Sequence, residues 1–238
     1  MSRRSLRPEL MDDPSCDTDR LLRTVAQFET INRLLSRFRS ILAREVLDDM
    51  AMAPERVYHL VDIGAGGGDI ARWLLRAAAE RGLKLTVTAL DSDARICEWA
   101  RQRNRGVRGL VIEQGDAFSR LPELRCDYIF GNHFLHHLDD PAIVVMLNLA
   151  VSIARRRVVF SDLRRSLWAL AGFSLLAACC FRGSFALHDG CLSIRRGFLK
   201  SELEAMARHV DAERPGRVTS TWPGRLVLSL EGGRSGRR

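Results

Sequence analysis

The 238-residue sequence contains no C-x-x-C pair and no cysteine–histidine run with zinc spacing. Its six cysteines, at 16, 97, 126, 179, 180 and 191, read as reduced thiols of a cytoplasmic protein, and no metal-ligand set is expected. The basic start MSRRSLRPELMDDPSC lacks the apolar stretch of a signal peptide. A bilayer span of roughly 20 apolar residues is also missing. The uncharged stretch Ser166 to Phe181 has only 16 residues, between Arg165 and Arg182. It reads as a buried or interfacial helix, which leaves a peripheral membrane contact open. Acidic residues are outnumbered, 29 against 37 basic ones, for a net charge of +8. Such an excess suits an anionic ligand, a membrane surface or nucleic acid without choosing among them, and a solvated arginine-rich surface is the expected reading. Part of it lies in Arg3, Arg4 and Arg7 and in Arg234, Arg237 and Arg238, chain ends expected to be mobile.

What is present is a change of period along the chain. From Asp17 to Asp49 apolar residues recur at three- and four-residue steps (Leu21, Val25, Phe28, Ile31, Leu35, Phe38, Leu42), predicting helix that Asp17 or Thr18 caps and Pro54 ends. Short apolar runs then alternate with helical segments. VYHLVDIG, LKLTVTALD, VRGLVIEQG, CDYIFGN and RRVVFSD read as strands. Helices are predicted over Asp69–Arg81, Ala94–Arg105 and Pro141–Ala154. This order implies an α/β fold with a mostly parallel sheet covered on both faces. GRVTSTW and RLVLSL around PG predict a closing antiparallel hairpin.

In such sheets ligands sit at the carboxyl ends of the strands. The first strand ends in VDIGAGGGDI, four glycines in five positions, where the backbone must turn tightly or let a ligand approach. Gly64, Gly66 and Gly68 fit G-x-G-x-G; a dinucleotide fingerprint needs a glycine where Asp69 stands. Asp62 beside the loop disfavours a pyrophosphate and suits a ligand carrying an ammonium. Asp91 ends the second strand, where a carboxylate accepts ribose hydroxyls, and Gly115-Asp116-Ala117 ends the third. Asp93 and Asp116 could equally cap helices.

Together VDIGAGGG, ALDSD, GDA and CDYIFGNHFLHHL, in order at four strand ends, resemble the class I methyltransferases that use S-adenosylmethionine. The resemblance implies their Rossmann-like fold and that cofactor. It implies backbone contacts from Gly64, Gly66 and Gly68, and Asp62 at the amino-acid end. It also implies Asp91 at the ribose, Asp116 and Ala117 at the adenine, and Asn132 at the methionyl side. It divides the chain into an N-terminal helical cap (1–53), a cofactor-binding core (54–162), an acceptor-lid insert (163–198), a C-terminal helix and hairpin (199–231) and a flexible tail (232–238).

No Asn/Asp-Pro-Pro-Tyr/Phe sequence follows the fourth strand, which weighs against base or glutamine methylation. His133, His136 and His137 stand there instead. The LHHL run resembles small-molecule methyltransferases acting on oxygen or quinol carbon. A phenol must lose a proton to attack the sulfonium methyl, and an imidazole can take it near neutral pH. The catalytic candidates are therefore His136, His137 and Asp162, with His133, Trp168, Phe173, Arg195 and Arg196 expected to touch the acceptor. His188 and Asp189 are further polar candidates. PELMDDPSCDTDRLLRTVAQFETINRLLS, SDLRRS and HDGCLSIRRGFLKSEL resemble a bacterial subfamily associated with polyketide and phenolic-lipid biosynthesis. That subfamily usually has Ser or Thr after the paired arginines; here Gly197 precedes Phe198. The expected acceptor is a small hydrophobic phenol or polyketide. A quinol C-methyltransferase, an RNA-binding protein and a cofactor-binding scaffold without turnover are the competing readings; oligomeric state is left open.

Overall fold

A computed structural model describes residue 1, residues 3–210 and residues 216–233. Its centre is a seven-stranded sheet: β1 (Val57–Ile63), β2 (Lys84–Asp91), β3 (Leu110–Gln114), β4 (Cys126–Asn132), β5 (Ala154–Leu163), β6 (Arg217–Thr221) and β7 (Arg225–Glu231). The order is β3-β2-β1-β4-β5-β7-β6, with only β7 antiparallel to its neighbours. Strand order reverses between β1 and β4, the switch point that opens a crevice at the carboxyl edge. Every residue of β4 is buried, as expected of a central parallel strand.

The helices are α1 (Thr18–Leu35), α2 (Phe38–Leu42), α3 (Asp48–Met50), α4 (Asp69–Glu80) and α5 (Ala94–Arg103). They continue with α6 (Ala117–Arg120), α7 (Asp140–Ile153), α8 (Leu167–Cys180), α9 (Ala186–Arg196) and α10 (Lys200–Val210). Ile70, Ala71, Leu74 and Ala78 of α4 recur at helical spacing and are buried with Phe38, Leu42 and Val87 on one sheet face. Burying Ile70 or Leu74 contributes about 1.5–3 kcal/mol each. On the other face α7 and α10 bury Met146, Leu147, Leu203 and Met206 against Ile129 and Leu228. No described helix is long and apolar enough to cross a membrane.

Two expectations need correction. The helix predicted from Asp17 to Asp49 is broken: Asp17 caps α1 by accepting from Arg20 N–H, but Arg37 turns left-handed (φ 54°) and α2 starts afresh. The amino end is not loose either. Arg4 is nearly buried, its guanidinium 4.2 Å from the Phe198 ring centre and bonded to the carbonyls of Arg196 and Leu138. Arg234, Arg237 and Arg238, and with them the expected tail, lie outside the described residues.

Candidate active site

The glycine loop between β1 and α4 is shaped by backbone conformation. Gly64, Gly66 and Gly68 all have positive φ (64°, 53° and 71°), where a side chain is strained. Gly67 is fixed by a neighbour, since a Cβ would lie 2.7 Å from the Trp99 ring. The N–H groups of Gly64 and Ala65 both donate to Leu90 O, tying the loop to β2 (2.9 and 3.1 Å). Gly66 N–H donates to Asp91 Oδ2 (2.9 Å) and Asp93 N–H to Asp91 Oδ1 (3.1 Å). Burial raises the Asp91 pKa, with these backbone bonds opposing it. Asp93 caps α5 and pairs with Arg95; Asp116 caps α6 through Ser119 N–H while also lining the cavity.

Asp62 is 2% exposed, and its Oδ2 has no hydrogen-bond partner. Burial, then the neighbouring Asp69 and Asp91, push its pKa well up. Burial and Glu29 raise Asp69 to about 7. A buried carboxylate without a partner beside further acids is a receptor for a cation. An α-ammonium group meets that need, so the residues fit the cofactor whose motifs they resemble.

Asn132 is held from two sides. Its Nδ2 donates to Asn32 Oδ1 of α1 (3.0 Å), and its Oδ1 accepts from the buried Arg225 (2.6 Å). Arg225 also donates to Nε2 of His133 (2.7 Å). Burial and that guanidinium lower the His133 pKa well below the usual histidine range, while burial pulls Arg225 down to about 10. His133 is therefore a neutral acceptor for Arg225, held at φ 58° with its N–H on Ser161 O.

The turn Leu135–His137 carries the other two histidines. His136 is buried; its Nδ1–H donates to Asp162 Oδ1 (2.7 Å) and its main-chain N–H to Asp162 Oδ2 (3.1 Å). Across the ring, Nε2 is 3.5 Å from Glu9 Oε1, itself accepting from Ser193 Oγ (2.7 Å). Burial alone lowers the His136 pKa, but Asp162 and Glu9 outweigh it and lift it to about 9. His136 is thus an imidazolium at neutral pH. His137 is more open, its Nδ1 3.4 Å from Asp12 Oδ2 and its ring centre 4.4 Å from that of His136. Ligand atoms of Glu9, His136 and His137 lie within 4.8 Å of one another. That trio could hold a divalent ion, although the proton on His136 already answers Glu9.

One cavity of about 1010 Å³ joins these parts. Asp62, Gly64, Gly66, Gly67, Asp91, Asp116, Ala117 and Asn132 line it together with His133, His136, His137, Trp168 and Phe173, whereas Gly68, expected to contact the cofactor, turns instead toward Asn104 and Ile112. Asp162 lies behind His136. Arg195 and Arg196 are not among the lining residues. Arg196 is buried and braces the histidine turn through the carbonyls of His136 (2.9 Å) and His137 (2.8 Å), with a third bond to Arg7 O (2.8 Å). Arg195 is exposed at the surface. His188 is exposed and contacts Asp189, whose carboxylate accepts the N–H groups of Leu10 (2.9 Å) and Met11 (3.0 Å). Gly197 is required by packing, since its Cβ would stand 2.5 Å from Leu163 O.

Sequence reading missed Glu9, Asp12, Asn32 and Arg225. Only the acidic MDD run gave any local signal; the other three reach the site across more than ninety residues.

Residues 61–146 match the family model described as a methyltransferase domain. Among solved structures, the plantazolicin methyltransferase BamL, in complex with a triazolic analogue and S-adenosylhomocysteine, is similar over 94% of this chain and 98% of its own (14% identity, TM-score 0.66). An S-adenosylmethionine-dependent methyltransferase from Aquifex aeolicus is similar over 92% and 98% (15% identity, TM-score 0.60). Magnesium protoporphyrin IX methyltransferase from Synechocystis PCC 6803, with bound S-adenosylhomocysteine, is similar over 82% of each chain (17% identity, TM-score 0.55). No curated protein matches by sequence. The chain thus carries a methyltransferase-domain match over 61–146 within the Rossmann-like architecture of these neighbours. The Synechocystis enzyme is also known with S-adenosylmethionine bound.

Proposed function

We propose that the chain O-methylates a small, largely apolar phenolic or polyketide-type acceptor, with His137 taking the hydroxyl proton. One observation carries the reading: His137 faces the same cavity as the glycine loop, with Asp12 3.4 Å from its ring nitrogen. The bound cofactor supplies an electrophilic methyl on a sulfonium. The residues do the rest. Asp62 answers the ammonium with its unpartnered oxygen, and the lone pairs of Asp91 left free by two backbone bonds accept ribose hydroxyls. Asn132, braced by Arg225 and Asn32, holds the methionyl side, while Asp116 and Ala117 border the adenine. His136, already protonated between Asp162 and Glu9, takes up no further proton; it anchors the turn that presents His137. Asp12 orients the His137 ring and stabilises the imidazolium formed as the acceptor hydroxyl ionises. Residues 163–198, chiefly α8 and α9, serve as the acceptor lid, with Trp168 and Phe173 as apolar walls. The core 54–162 holds the cofactor under the helical cap 1–53, completed by 199–231.

The test is transfer of a labelled methyl from S-adenosylmethionine to a panel of apolar phenols, quinols and single-stranded RNA, with the product's methyl located by NMR. A methyl ether on a phenol is expected. A ring C-methyl would move the reading to the quinol chemistry, and labelling of RNA alone would overturn it.

A further inference from the structure

The helix α8 packs against α9 through one face only. Phe173 lies over Gly190, where a Cβ would collide with the ring, and Ser174 Oγ is 3.1 Å from Cys191 Sγ. The opposite face is solvent-exposed and carries no polar side chain. Leu167, Trp168, Leu175 and Leu176 recur there with Ala171, Gly172, Ala178 and the two cysteines 179 and 180. Trp168 is 89% and Leu175 70% exposed. Beside the start of α8, the turn between β6 and β7 holds out a second tryptophan, Trp222, at 78% exposure, with Gly224 against Ala169. Scattered exposed apolar residues need no explanation; a continuous apolar helical face with an exposed tryptophan on it and another beside it does.

Charge tells what covers it. Arginines stand at both ends of this face: Arg3, Arg164 and Arg195 near its start, Arg20, Arg23 and Arg182 near its end. Among the described residues none of the six is ion-paired with a carboxylate, so their charge is open to an outside anion. At 14 residues α8 is about 21 Å long, short of the roughly 30 Å hydrocarbon core. Such a helix lies in the interface, with its apolar side in the acyl boundary, tryptophans at headgroup depth and cationic flanks on anionic lipid. A second copy of the chain would bring the same arginine clusters together around the same apolar strip, so symmetric self-association meets like charge.

We infer that the exposed face of α8, with Trp222, docks on an anionic lipid bilayer. Trp168, Gly172, Leu176 and Trp222 also line the cavity, so the docked face surrounds its mouth. If the cavity is the acceptor's, as proposed above, an apolar acceptor dissolved in the bilayer enters without crossing water. The docking itself does not depend on that reading.

The test is flotation of the full chain with vesicles of equal parts phosphatidylcholine and phosphatidylglycerol, and with phosphatidylcholine alone, alongside tryptophan emission. Leu167 and Leu175 do not line the cavity, so the double variant Leu167→Glu/Leu175→Glu reports on docking alone, and its thermal melt checks that it folds. The wild type is expected to float with the anionic vesicles, with a blue shift, and to bind phosphatidylcholine alone more weakly. The double variant should lose tenfold or more in partitioning. Failure of the folded wild type to float, or equal flotation of the folded double variant, overturns the inference. So does a wild-type dimer in sedimentation velocity that the double variant dissolves, because a second copy would then be the occupant. A melt lost in the double variant passes the same reading to Leu175→Gln. None of these readouts involves methyl transfer, so failure of the enzymatic reading leaves them intact.

Discussion

Asp62 combines burial, an unpartnered oxygen and two acidic neighbours, and these make opposite demands on the free and cofactor-bound protein. A carboxyl whose folded pKa is raised contributes stability at low pH that is lost as pH rises. Asp62→Asn should therefore raise the melting temperature of the free protein at neutral pH. It should also weaken S-adenosylmethionine by tenfold or more, about 1.4 kcal/mol; calorimetry and a thermal melt on the same sample read both. A purely structural Asp62 would move only the melt. Asp91→Ala should weaken the cofactor to a similar degree, and it also frees the Gly66 and Asp93 N–H groups. His136→Ala is a different kind of change. It leaves Asp162 buried without its partner, which costs about 3–5 kcal/mol, so its main effect should appear in denaturant unfolding.

Between the elements, the amino-terminal arm and α9 hold the histidine turn in place: Arg4 and Arg196 on its carbonyls, Asp189 on the arm's N–H groups, and Glu9 against His136. This contact is pH-dependent from both sides. His136, raised from its ordinary 6.5 to about 9, contributes stability fully present below about 6.5 and lost as pH climbs through 9. Glu9 has a lowered pKa: burial raises it, but the neighbouring imidazoles of His136 and His137 prevail. Its contribution is present above the usual glutamate range and lost as pH falls through its lowered value. Melting temperature against pH should thus show a plateau with an alkaline decline, and Glu9→Gln should bring the onset of that decline to lower pH. An unchanged alkaline limb would mean that Glu9 does not couple to His136. Deleting residues 1–12 should lower stability and turnover together, whereas loose ends would be dispensable.

Across the whole molecule, the parts that could be read from sequence are those encoded in short windows. Glycines 64, 66 and 68 announce their conformation because few other residues adopt it, and β2 and β4 are apolar runs that end at an acid and an amide, Asp91 and Asn132. The histidine pair was visible, but which of the two is free to accept a proton was not. That depends on Glu9, 127 residues earlier in the chain, and on Asp12, each placed by the arm's docking. Arg225 was hidden for the same reason: its strand pairs with β5 only in the folded sheet. The break at Arg37 left no mark on an apolar period that continues through it. His137 as the proton acceptor is tested most directly by one series: turnover of wild type and His137→Ala on phenols of graded acidity. The wild type should vary little. The variant should lose roughly a hundredfold or more on weakly acidic phenols, with the gap closing as the hydroxyl becomes ionised in solution. A constant gap across the series, or no gap, would contradict it.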